Sequence, residues 1–162
     1  MLDIDKSEVD FLVTENMVKE VKAFLEHEAK EVRAIADDMA QRNIERLYFV
    51  ACGSPLSALQ TAQFLVDRYS SIPCSAYDGA DFVDNPPYKL DETCAVVAVS
   101  QSGKTEEVIE AVKVAKTKGA FTVAFTNDEI CPLYNEAERS LAYHAECIWE
   151  LHLLISYTLV IE

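Results

Sequence analysis
Residues 95–107, AVVAVSQSGKTEE, constrain this chain more than any other stretch. An apolar run, Ala95–Val99, enters a polar turn of Ser100, Gln101, Ser102, Gly103, Lys104 and Thr105. A helical pattern opening on Glu106 and Glu107 follows at once. The order is strand, tight turn, helix. The turn presents small hydroxyls, one glycine and the first N–H groups of a helix. Those N–H groups have no intrahelical partner and the helix dipole is positive at that end, so the turn suits an anion. Ser100, Ser102 and Thr105 add hydroxyl donors, and Gly103 lets the backbone come close to a ligand. Glu106 and Glu107 complement the dipole but repel a phosphate, so they are expected to point away from one. The competing reading is that Ser102 or Thr105 only caps the helix. The spacing matches neither G-x-x-x-x-G-K-S/T nor G-x-G-x-x-G, so a nucleotide site of either kind is unsupported.

The rest of the chain repeats this alternation. Residues 1–13 form a mixed acidic and apolar lead. From Thr14 to Arg42, Met17, Val21, Phe24, Leu25, Val32, Ile35 and Met39 recur at spacings of three, four and seven, which predicts a long amphipathic helix. That helix must pack on a sheet or on another subunit. Ile44–Cys52 (IERLYFVAC) is nearly continuous in apolar residues, as a buried parallel strand is. Gly53-Ser54-Pro55 turns it into a helix over about Pro55–Tyr69, with proline where its missing N–H is harmless and Ser54 as a capping residue.

Pro73–Tyr77 is a short second strand, and Asp78–Asp84 a helical turn stopped by Asn85-Pro86-Pro87. Thr93–Val99 is the third strand and Lys104–Lys118 its helix, closed by Gly119. Ala120–Thr126 is the fourth strand, Cys131–Ala137 a short helix, Arg139–His144 an edge strand and Glu146–Glu162 an apolar helix. The alternation predicts a three-layer α/β/α fold with a five-stranded parallel sheet. In such sheets ligands bind beyond the carboxyl ends of the strands, where strand order reverses. Gly53-Ser54, Ser100–Thr105 and Thr126-Asn127 all follow strand ends, which places hydroxyl-bearing turns along one edge.

At 162 residues the chain suits one domain with a sizeable core, and half of its residues are hydrophobic. A net charge of −14 argues against nucleic acid and anionic membrane surfaces as partners. A phosphate must therefore be held by local donors. Cys52, Cys74, Cys94, Cys131 and Cys147 lie far apart with no C-x-x-C pair, which predicts reduced, mostly buried thiols in a cytoplasmic protein. No secretory signal opens the chain, and no apolar run approaches the ~18 residues of a membrane helix.

Gly53-Ser54 after a strand, the S-Q-S-G-x-T-x-E pattern over 100–107, Thr126-Asn127 and Pro132-Leu133 together resemble the sugar isomerase (SIS) domain family, from Ile44 onward. The resemblance implies a flavodoxin-like five-stranded parallel sheet between helices, with 1–43 as a lead and helix packed on a domain at 44–162. It also implies a sugar phosphate as ligand, with no cofactor and no metal. Carried over residue by residue, Ser100, Gln101, Ser102, Gly103 and Thr105 would hold the phosphate, and Gly53 and Ser54 would contact the sugar.

Within that family, MLDIDKSEVDFLVTENM, YFVACGSPLSALQTAQ, DNPPYKLD, GKTEEVI and CIWELHLLISY are similar to the bacterial fructoselysine-6-phosphate deglycases. These split an amino acid–sugar phosphate conjugate into glucose 6-phosphate and the free amino acid. They have two SIS halves, and the glutamate and histidine that transfer protons lie in the second. The chain stops within an apolar helix, so it is expected to be an N-terminal half that forms a homodimer or higher oligomer through apolar helix faces. Two alternatives stay open. One is the isomerase domain of a glucosamine-6-phosphate synthase-like aminotransferase or an aldose–ketose isomerase. The other is a non-catalytic phosphosugar sensor.

Other chemistry is weakly signalled. His27 sits between Glu26 and Glu28 and reads as solvated, and His144 lies at a strand edge. Glu150 and His152 are two apart and point to different sides of a helix. No His/Cys/Asp/Glu cluster has metal-ligand spacing. Cys52 has no histidine placed in sequence to activate it. Asp78 and Asp81 can contact sugar hydroxyls or cap their short helix, and capping is favoured. Lys104 adds a point charge for phosphate or is simply solvated.

Overall fold
In the computed structural model, which describes residues 15–27 and 29–144, helices cover both faces of one sheet. The helix expected over 146–162, with Cys147, Glu150 and His152, lies outside the described residues, as do the side chains of Met17, Val21 and Leu25. The strands are β1 (Arg46–Ala51), β2 (Cys74–Asp78), β3 (Cys94–Val99), β4 (Phe121–Thr126) and β5 (Arg139–Ala142). The helices are α1 (Glu15–His27), α2 (Ala29–Gln41), α3 (Ser54–Tyr69), α4 (Gly79–Asp84), α5 (Glu106–Thr117) and α6 (Pro132–Glu136). The helical pattern read over 14–42 thus appears as α1 and α2.

All strand pairs are parallel, in the order β2-β1-β3-β4-β5, the flavodoxin-like arrangement. Every residue of β3 and β4 is buried, which is why β3 reads as an unbroken apolar run and β4 as one broken only by Thr122 and Thr126. Side chains alternate across the pleat, so each strand feeds two cores. Phe49, Val97, Val123 and Phe125 pack with Phe24 of α1, Val32 and Ile35 of α2, and Leu59 and Ala62 of α3. On the other face Tyr48, Val50 and Val96 meet Phe82 of α4 and Ala111 and Ala115 of α5. Ala98 and Ala124 meet Val108, Val112 and Leu133. Alanines on both sides of this second interface let the helices sit close to the strands. Leu59, Phe82 and Leu133 are fully buried, and each such side chain contributes roughly 1.5–3 kcal/mol relative to exposure.

Among the described residues no helix is long and apolar enough to cross a membrane. A cavity of about 140 Å³ lies between α2, α3 and the sheet, but the side chains that line it, including Val32, Met39, Val66 and Phe125, are all apolar. It offers nothing to hold a charged ligand.

Candidate functional site
Strand order reverses between β1 and β3, and their carboxyl ends open onto a cavity of about 290 Å³. Cys52, Gly53, Ser54 and Pro55 of the β1–α3 turn form one side of it. Val99, Ser100, Gln101, Ser102 and Thr105 of the β3–α5 loop form the other. The size is near the lower end of small-ligand sites, about 300–1,000 Å³. Every residue expected at the site lines this cavity except Gly103. Glu106 and Glu107 are exposed and line no part of it.

Ser100 is buried, and its Oγ lies 2.8 Å from Thr105 Oγ1. One hydroxyl of that pair donates to the other, which leaves one proton of the pair for a ligand. Ser102 Oγ accepts from the Lys104 N–H at 3.2 Å, so its own O–H is not committed to that bond. Thr105 occupies the N-cap position of α5 but makes no side-chain capping bond. Its hydroxyl faces Ser100 instead, so capping does not account for either serine or for the threonine.

The opposite helix start departs from expectation. Ser54 is not the cap of α3 but its first residue. Gly53 takes the N-cap position with φ 66 and ψ −134, a conformation open in practice to glycine alone. The turn therefore tightens one residue earlier than a serine cap would allow. A glycine has no side chain with which to cap, and no side-chain capping bond is made at α3. Two helix starts without side-chain caps, on 16- and 12-residue helices, thus flank one cavity. Each positive helix end favours an anion by ~0.3–1 kcal/mol when exposed and up to ~2 kcal/mol when partly buried. Both helix ends contribute positive potential at the cavity, although the chain carries a net charge of −14.

Gly103 also has a different reason for being glycine. It is buried with φ 61, and its N–H donates to the Ser100 carbonyl at 3.1 Å rather than toward the cavity. A Cβ there would lie 2.1 Å from Cys131 Sγ and 2.7 Å from Cys131 Cβ. The close approach is to Cys131, not to a ligand. The third turn on this edge supports the loop from behind. Asn127 donates its N–H to the Gln101 carbonyl at 3.0 Å, and Leu133 donates to the Gly103 carbonyl at 3.0 Å.

Cys52 is half-buried, whereas Cys74, Cys94 and Cys131 are buried. Burial pushes the Cys52 thiol above its ordinary value, and the nearby Asp78 and Glu107 carboxylates push it further, against a Gly79 N–H that favours the thiolate. Cys52 is therefore held as a neutral thiol. Asp78 caps α4, accepting from the Ala80 N–H at 3.0 Å. Asp81 and Lys104 are exposed and line no part of the cavity, and neither does His27. His144 stands just after β5 with Nε2 3.0 Å from Glu129 Oε1, also outside the cavity wall. Among the described residues lining the cavity there is no carboxylate, imidazole or amine. Among them, too, no group of three or more His, Cys, Asp or Glu is placed to hold a metal ion. The wall can bind an anion but offers no general base. Sequence reasoning missed Pro55 and Val99 as wall residues and Cys131 as a support. Cys131 lies 28 positions beyond Gly103 in the chain, and nothing local marks their contact.

Residues 40–159 match the SIS domain family model. The whole chain is 55% identical over 162 residues to the fructoselysine 6-phosphate deglycase of Escherichia coli (strain K12), of which it spans 48%. It is 34% identical over 115 residues to the fructosamine deglycase of Bacillus subtilis (strain 168), covering 70% of this chain and 35% of that one. The crystal structure of a candidate phosphosugar isomerase from Silicibacter pomeroyi DSS-3 has a TM-score of 0.80 at 23% identity, over 90% of this chain and 46% of that one. The chain thus matches 35–48% of the length of these relatives.

Proposed function
Because the chain belongs to the SIS domain family, we propose that the cavity between β1 and β3 binds the phosphate of a sugar phosphate. The observation that carries this reading is the convergence of two helix starts without side-chain caps and the Ser100, Ser102 and Thr105 hydroxyls on one cavity. The Ser102 hydroxyl, a proton from the Ser100–Thr105 pair and the first N–H groups of α5 receive the phosphate oxygens. Gln101 borders the phosphate, and Gly53 and Ser54 meet the sugar. The 55% identity to a fructoselysine 6-phosphate deglycase directs the substrate class to fructosamine 6-phosphates, with glucose 6-phosphate as product.

The proposed role is the substrate-holding share of a deglycase. Moving a proton between adjacent sugar carbons needs a general acid or base, each worth about 10²–10⁴-fold, and the described wall carries none. Turnover on this reading draws on groups beyond the cavity described here, supplied by a second SIS half or a second copy of the chain in a homodimer.

Calorimetry of the full chain with glucose 6-phosphate tests the binding. Ser102→Ala should weaken it by about 1.5–3 kcal/mol, the usual worth of a hydrogen bond to a charged group. Equal affinity in the variant removes the loop from the site.

A further inference from the structure
The phosphate loop is not free-standing, and what holds it is a segment the site itself does not use. We propose that Cys131 is a positioning residue of the loop 100–105, acting through Gly103. The proposal rests on the sugar-phosphate reading only in naming what the loop holds.

Three observations carry it. First, Cys131 is buried and fills the space that the missing side chain of Gly103 leaves; even Thr126 Cγ2 would be 3.3 Å from a Cβ there. Gly103 can therefore neither gain an atom nor move toward Cys131. Second, the segment carrying Cys131 is cinched. The Asp128 carbonyl accepts from both Thr126 Oγ1 at 2.9 Å and Cys131 Sγ at 3.2 Å, and Asp128 Oδ1 accepts from the Ile130 N–H at 2.7 Å. Third, the same segment grips the loop backbone at both ends. Asn127 and Leu133 donate to the Gln101 and Gly103 carbonyls, each at 3.0 Å.

The geometry explains why this matters to a ligand. In a planar trans peptide the C=O and the following N–H point in opposite directions. Fixing the Gln101 carbonyl on Asn127 turns the Ser102 N–H away from that segment. Fixing the Gly103 carbonyl on Leu133 does the same for the Lys104 N–H, which then meets Ser102 Oγ. The thiol of Cys131 thus sets, through Gly103, the attitude of the Ser102 hydroxyl and amide. A larger or smaller side chain at 131 changes how closely the loop can lean back.

The experiment is a double-mutant cycle on the full chain, read by calorimetry with glucose 6-phosphate and by the backbone amide NMR spectrum without ligand. Gly103→Ala should weaken binding by about tenfold or more, the scale of a displaced donor to a charged group. Adding Cys131→Gly to Gly103→Ala should restore a measurable part of that loss, because it removes both the Sγ and the Cβ that the new methyl meets and leaves only the strain of an alanine at φ 61. Cys131→Ser, slightly smaller but keeping a donor to Asp128, should stay closer to the parent in binding than Cys131→Ala. Cys131→Ala should shift the amides of Ser102, Gly103 and Lys104 while leaving those of β2 in place. A Gly103→Ala loss unrelieved by Cys131→Gly, or loop amides indifferent to Cys131→Ala, overturns the proposal. If the parent chain binds no glucose 6-phosphate, the sugar-phosphate reading falls, and the amide shifts still decide whether Cys131 positions the loop.

Discussion

The β1–α3 turn and the β3–α5 loop face the same cavity, and each is built around a glycine with positive φ, 66 at Gly53 and 61 at Gly103. Their surroundings are opposite. Gly53 is exposed, and a Cβ there would meet nothing within 4 Å. Gly103 is buried, with Cys131 pressed against it and backbone bonds on either side. The first turn has nothing packed against its glycine and is closed only locally, by the Leu56 N–H donating to the Gly53 carbonyl at 3.1 Å. The second is held by packing and by hydrogen bonds from the β4–α6 connection. A site that must hold a charged oxygen in one place benefits from donors fixed in advance. The packed side of this cavity carries the hydroxyls of Ser100, Ser102 and Thr105, and the unpacked side carries that of Ser54.

The largest expected effect comes from breaking the packed side. Gly103→Ala combines about 1–3 kcal/mol of overpacking with about 1–3 kcal/mol of backbone strain, so it should cost roughly 2–6 kcal/mol of stability. Gly53→Ala meets no neighbour and should cost only the strain, about 1–3 kcal/mol. Urea denaturation of the two variants measures both. Equal losses would mean that Cys131 gives way freely, and the contrast between the two turns would collapse.

Much of this architecture was legible in the sequence, for identifiable reasons. β3 and β4 are covered on both faces, so β3 carries no polar residue and β4 only the two small threonines Thr122 and Thr126, and neither shows the charged alternation of a half-exposed strand. The hydroxyls of Ser100, Ser102 and Thr105 were readable because a strand–turn–helix pattern fixes where a turn lies. Ser54 was misread because serine is a good cap by propensity, whereas the tighter glycine conformation moves the helix start back one residue. The glycine at 103 was readable as a close approach, but its partner was not. Cys131 reaches it across a parallel crossover, and tertiary contacts of that kind leave no local periodicity. The single long helix read over 14–42 shows the same limit, since spacing alone does not say where one helix ends and the next begins.

The thiol at the cavity mouth sharpens the contrast on the open side. Burial and the Asp78 and Glu107 carboxylates hold the Cys52 thiol above its ordinary value, so it is protonated near neutral pH. Alkylation by iodoacetamide, followed at Cys52 by peptide mass mapping, should therefore be slow at pH 7.5. It should climb about tenfold per pH unit and keep climbing beyond pH 9, since only the thiolate reacts. Saturating glucose 6-phosphate should slow labelling at every pH, because Cys52 lines the cavity the sugar phosphate would fill. Unchanged labelling at saturation would place the ligand elsewhere.

The smallest expected effect separates charge from burial at that same thiol. Asp78 has two duties, capping α4 through the Ala80 N–H and standing as a negative charge near Cys52. Asp78→Asn keeps the carbonyl acceptor, and asparagine caps helices about as well as aspartate, so stability should stay within about 0.5 kcal/mol. The charge is lost, and the thiolate is then repelled less. The Cys52 value should fall toward the ordinary thiol range, though not to it, because burial is the larger cause and Glu107 remains. Labelling at pH 8 should rise, because a larger share of the thiol is then ionised. A rate unmoved by the substitution, with stability intact, would mean that the Asp78 carboxylate has no part in holding the thiol up. A drop in stability of about 1 kcal/mol would instead show that the amide fails to replace the carboxylate as a cap.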